Sequence, residues 1–184
     1  MQARAELTVL PMFVRDGAVI PLLPAGSLDA TDVAHGTGVH WAIFLGNHTS
    51  SGEGVKSGNG SRYFDAGDST AHEGSEGAFA TQALSYTLSS GGPAAAANQV
   101  VLKVAIAAAV ANGRFVLPKT KVPHSIEVRG RRAPDTATMG GGAMKCSTIS
   151  AKEQSLARPE GTVVCSGAAA RGLGEPVEAV LQWE

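Results

Sequence analysis

The segment "NQVVLKVAIAAAVANG", Asn98–Gly113, decides the fold class, because it can be read two ways. The alanine-rich run Ala105–Ala109 favours a helix by propensity alone. Against that, Val100, Leu102, Val104, Ile106 and Ala108 alternate with Val101, Lys103, Ala105 and Ala107, the period of a strand with one face buried. Asn112-Gly113 then supplies a two-residue turn signal before "RFVLP", Arg114–Pro118. The alternation decides the reading, which is strand, turn, strand.

Working outward, the same logic marks further strands. Toward the N-terminus, Phe79, Gln82, Leu84, Tyr86 and Leu88 nearly alternate, and "VHWAIFLG", Val39–Gly46, is short, β-branched and aromatic. Toward the C-terminus, "HSIEVRG" places Ile126 and Val128 on one face, and "GTVVCSG" and "VEAVLQW" are the last candidates. Residues 133–160 have weak periodicity and a Gly140-Gly141-Gly142 run, and read as a long loop. Residues 47–61, almost devoid of apolar groups, read as a mobile polar loop. Many short strands without a convincing helix predict an all-β, antiparallel sandwich.

Composition agrees. With 23 glycines, 9 prolines and only 17% charged residues among 184, the chain suits turns and strands better than long helices. At 43% hydrophobic it can bury a core, and a net charge of −1 gives no pull toward nucleic acid or anionic lipid. No apolar run approaches the ~18 residues of a membrane span. Pro11 interrupts the apolar N-terminal run, and Arg15-Asp16 stand where a small-residue cleavage site would lie, so no convincing signal peptide is read and the compartment stays open.

Before the first clear strand, "LPMFVRDGAVIPLLPAG", Leu10–Gly26, sets apolar runs Met12–Val14 and Ala18–Leu23 either side of Arg15-Asp16-Gly17. This reads as a hairpin-like piece whose strands need partners. Its register resembles the segment that follows the catalytic barrel in glycoside hydrolase family 31, with Pro11, Phe13, Arg15, Gly17, Ile20 and Pro21 matching. A second match lies in "GSRYFDAGDSTAHEGSEGAFATQALSY", which is similar to that family's distal β-sandwich. There Tyr63, Asp65, Gly67, Gly77 and Tyr86 correspond, while Ala66 replaces the second acid of the usual pair. A weaker match is "NGRFVLPKTKVPHSIEVRG". The three occur in the family's order over residues 10–130; beyond about 135 nothing matches.

The resemblance implies a remnant of a proximal β-domain at 1–35 and a distal sandwich at 38–184, without the barrel. Retaining hydrolysis needs two carboxylates ~5 Å apart, and a barrel needs ~250 residues; this chain has neither the family's barrel motifs nor the length. The implied function is therefore that of a non-catalytic accessory region, with no cofactor. A protein partner, a catalytic chain or an assembly neighbour, is expected to pair with residues 7–23, and carbohydrate contact is the second expectation. The alternative is a free-standing carbohydrate-binding or protein-interaction module. A small hydrolase built on Asp65 and Glu73 is a third reading, without a second motif to orient those carboxylates.

Other residue groups carry weaker signals. Asp65, Asp68, Glu73 and Glu76 lack the alternating ligand ladder of a calcium loop and read as solvated turns. His35, His40, His48, His72 and His124 have no metal spacing and read as surface histidines. "GEGVKSG" misses both phosphate-binding glycine spacings, and no Gly-x-Ser-x-Gly elbow occurs. "EVRGRR", Glu127–Arg132, reads as a solvated strand end. Asn47 and Asn59 head glycosylation sequons. Trp41 and Tyr63 are candidate sugar contacts, with core as the competing reading for Trp41. Cys146 and Cys165 are either one disulfide or two free thiols.

Overall fold

A computed structural model describes residues 13–22, 39–45, 56–65, 77–90, 99–117, 119, 121–122, 124–149, 162–167 and 170–184. Among them there is no helix, and fourteen strands form three sheets. The five-stranded sheet runs β1 (Val19–Leu22), β2 (Val39–Phe44), β8 (His124–Arg129), β12 (Thr162–Ser166) and β11 (Lys145–Thr148). The larger sheet runs β10 (Gly142–Ala143), β9 (Thr136–Met139), β14 (Val177–Trp183), β5 (Val100–Ile106), β4 (Phe79–Ser90) and β3 (Lys56–Asp65), with β6 (Val110–Asn112) beside β4. A small ribbon joins β7 (Lys121–Val122) to β13 (Arg171–Gly172).

The deciding segment is a strand, as its alternation predicts. In β5 Leu102, Val104 and Ile106 are buried while Lys103 and Ala105 face out. The alternation propagates across the sheet, because Leu84, Tyr86 and Leu88 of β4 and Val177, Ala179 and Leu181 of β14 fall on the same inner side. Opposite them, Trp41, Ile43, Ile126, Val128 and Val163 complete one core between the two sheets. All pairings are antiparallel except β2 with β8, which is parallel. These two strands lie in the interior of their sheet and are buried on both faces: β2, VHWAIF, is mostly apolar, whereas β8, HSIEVR, alternates and buries its polar residues as well.

Several expectations need correction. Arg114–Pro118 does not return as a hairpin strand: a turn at Gly113 (φ 56°) follows β6, and no strand covers 115–117. The stretch from 133 is not one long loop, since β9, the Gly140-Gly141 turn and β10 make a hairpin, with β11 following. Positive φ at both glycines supplies the backbone that this turn requires. Residues 56–61 are not linker but the first half of β3, a ten-residue strand paired in register with β4. Met12–Leu23 does not form its own hairpin within the described residues. Arg15–Ala18 is a turn, Gly17 (φ 82°) donates to the Phe44 carbonyl at 2.8 Å, and β1 pairs with β2.

The glycines of β3 have a specific task. A Cβ on Gly58 would stand 2.1 Å from the Gly17 carbonyl oxygen, and one on Gly60 would stand 2.2 Å from that of Val19. Here the edge of one sheet meets the edge of the other, backbone against backbone, and only hydrogen fits between. Composition that resembles a linker is what this corner demands. The expected need of β1 for partners is thus met inside the chain, by β2 on one side and β3 on the other. The boundary expected between 35 and 38 lies outside the described residues.

Candidate functional site

Three groupings of chemically active side chains emerge. The first lies on the outward side of the β2–β8 pair. Parallel register places His40 beside Ser125 and Ala42 beside Glu127. His40 Nε2 donates to Glu127 Oε2 at 2.8 Å, and His40 Nδ1 lies 2.7 Å from Ser125 Oγ. With Nε2 as donor, Nδ1 is placed to accept a hydrogen bond from the Ser125 hydroxyl. Arg129 Nε donates to the other Glu127 oxygen, and its guanidinium lies 4.5 Å over the Phe44 ring. Glu127 is fully buried, so this carboxylate is neutralised and held by two cationic or donor partners. Serine, histidine and glutamate in sequence resemble a hydrolytic relay. The arginine clamp and the mid-strand serine, whose backbone belongs to the sheet ladder, fit a structural network better. His40 is thereby not a surface histidine, and "EVRGRR" is not simply a solvated strand end. Glu127 and Arg129 are interior, whereas Arg132 is exposed, bonded to both oxygens of Asp135 at 3.2 Å.

The second grouping is inside the sandwich. His124 is 1% exposed, with no hydrogen-bond partner on either ring nitrogen, and Arg62 and Gln82 are buried on strands β3 and β4. Burial first, and the Arg62 charge second, hold the His124 imidazole down at about 4 from its ordinary 6.5. The folded chain refuses a proton that the unfolded chain accepts between those values. Stability is therefore full above pH 6.5 and falls as pH drops toward 4, by about 3 kcal/mol at the lower limit. Urea midpoints at pH 7.5 and 4.5 should diverge strongly for the native chain and much less for His124→Leu. Equal divergence in both would place the acid sensitivity elsewhere.

The third grouping is exposed. Tyr63, 52% exposed near the end of β3, stacks on Phe79 of β4 with centroids 5.2 Å apart. Trp41, the other candidate sugar contact, is fully buried in the core, so it has no face to offer a ligand. Its strand is covered on both sides, with residues 40–43 all buried.

The remaining candidates fall as follows. Cys146 and Cys165 are directly opposed across β11 and β12 and form a disulfide. Asn59 is exposed on β3, and Asp65 ends that strand. Gly17 and Pro21 lie in the first turn and in β1, while Phe13 is 79% exposed and Arg15 starts the turn. Pro11, Asn47, Gly67, Asp68, Glu73, Glu76, His35, His48 and His72 lie outside the described residues. Among the described residues no three His, Cys, Asp or Glu side chains converge as metal ligands, and no helix is long and apolar enough to cross a membrane. The sequence offered no signal for the His40–Glu127 contact, which joins residues 87 apart.

No protein-family model matches this sequence, and no curated protein matches it. Solved structures do share its fold. A family 31 glycoside hydrolase, the dextranase of Flavobacterium johnsoniae, matches both complexed with isomaltotriose and complexed with glucose. Each match has a TM-score of 0.54 at 14% identity, covering 91% of this chain and 19% of that one. The α-1,4-glucan lyase of Gracilariopsis lemaneiformis aligns at 18% identity with a TM-score of 0.48, over 91% of this chain and 16% of that one. This chain thus spans about a fifth of the length of the dextranase whose fold it shares.

Proposed function

We propose that this chain is a non-catalytic accessory β-sandwich of a family 31-like glycoside hydrolase, standing beside a catalytic barrel and touching glycan weakly. One observation carries the reading: nearly the whole chain, 91% of it, corresponds in fold to 19% of a dextranase. The order of the sequence motifs over residues 10–130 supports the same reading. On it, residues 1–35 are a proximal remnant, 38–184 the distal sandwich, and the catalytic carboxylates belong to another region or chain.

The docking group is Phe13, a large apolar side chain left 79% exposed six residues before β1, which suits burial against a partner although β1 itself is already flanked by β2 and β3. The test pairs two readouts on the purified chain and a separately expressed family 31 catalytic barrel. The chain alone should leave nitrophenyl α-glucoside intact, and it should bind the barrel with an affinity that Phe13→Asp lowers at least tenfold. Turnover by the chain that a substitution within it abolishes would overturn the reading, as would no association at all.

A further inference from the structure

We infer that the outer face of the larger sheet, along β4, is a binding face for a neutral oligosaccharide. The inference deepens the accessory reading by assigning its glycan contact to named residues.

Strict alternation makes this face. While Ala80, Gln82, Leu84, Tyr86 and Leu88 point inward, Phe79, Thr81, Ala83, Ser85 and Thr87 point out. Register then aligns neighbours in rows. Asp65, Phe79 and Asn112 stand abreast on β3, β4 and β6, and Tyr63, Thr81 and Val110 form the next row. The first row sets an aromatic ring between a carboxylate and an amide. In the second, Tyr63 extends the aromatic surface by its stack on Phe79, and Val110 stays 61% exposed. Such a surface meets both sides of a pyranose, the apolar C–H face on the ring and the hydroxyls on flanking oxygens and nitrogens.

Further along β4 the same face holds an open groove of about 250 Å³. Its floor is small, with Ser85 and Ala105 in one row, and its sides carry Thr87, Lys103 and Glu178. From Phe79 to Thr87 the strand runs about 27 Å at the rise of an extended chain, so aromatic end and groove together suit a chain of sugars more than one ring. The charges decide the ligand class. Asp65 and Glu178 against Lys103 give no positive field for a polyanion such as nucleic acid. Small hydroxylated side chains in the groove give no pocket for the apolar anchors of a protein partner. What remains complementary is a neutral, polyhydroxylated chain.

The test is calorimetric titration of the intact chain with isomaltotriose and maltoheptaose, alongside a glycan array. Saturable binding is expected to at least one glycan, weakened tenfold or more by Tyr63→Ala at the aromatic end and by Ala105→Arg in the groove. Both positions face solvent, so circular dichroism should show the fold retained. Absence of saturable binding to every glycan, or native affinity in both variants, would overturn the inference, and so would displacement of glycan-independent binding by a peptide. Absence of glycan binding by the native chain with barrel association intact refutes this face alone; absence of barrel association by the native chain refutes the accessory reading.

Discussion

Valine in place of Gly60 should lower the unfolding free energy by about 3 kcal/mol. The Cβ alone would press within 2.2 Å of the Val19 carbonyl oxygen and 2.8 Å of the Val19 Cβ. Neither is the yielding tip of a long side chain, so the two sheets must part at their shared corner. Urea denaturation of Gly60→Val, Gly60→Ala and Asn59→Ala gives the comparison. Asn59 occupies the same strand but faces solvent, and its substitution should stay within about 0.5 kcal/mol of the native chain. If Gly60→Val matches Asn59→Ala, the close approach of β1 and β3 is not present in solution.

The second large effect belongs to Glu127. Glu127→Ala removes the buried carboxylate that both His40 and Arg129 address, breaking a buried ion pair at a cost of about 3–5 kcal/mol. Removing both charges together is a different operation. The double variant Glu127→Leu with Arg129→Met replaces the pair by apolar groups of similar volume and should recover most of the loss. Thermal or urea unfolding of the two singles and the double closes the cycle. A double variant as unstable as Glu127→Ala would mean that the network is held by more than this pair.

Both effects show where sequence is readable and where it is not. Alternation in Val100–Ile106 identifies a strand because each residue reports its own side of the sheet, and the larger sheet, with one solvent face, preserves that signal throughout. In β2 and β8 the signal fails, because both faces are covered. His40 and Glu127 therefore look like surface residues when each is judged against its immediate neighbours. Gly58 and Gly60 mislead for the opposite reason. Their neighbours are polar, and the contact that requires glycine comes from Gly17 and Val19, some forty residues earlier. Tyr63 is legible both in the motif and on the surface, whereas Phe79, its partner in the stack, acquires its place only through the register of β3 on β4.

The position of β14 has a consequence for how the chain reaches this state. Val177–Trp183 lies between β5 and β9, so the interior of the larger sheet is completed by a strand some seventy residues C-terminal to β5. The smaller sheet has a related dependence, since β2 is bonded to a strand beginning 85 residues later. The β3–β4–β5 meander and the β9–β10 hairpin form from near neighbours. A nascent chain that stops short of residue 177 presents β5 with an open flank of unpaired amides and carbonyls, a template for other chains. High contact order of this kind places folding in the slow range, on the order of milliseconds to seconds. The interval before β14 inserts is when a chaperone or a neighbouring polypeptide has most to decide.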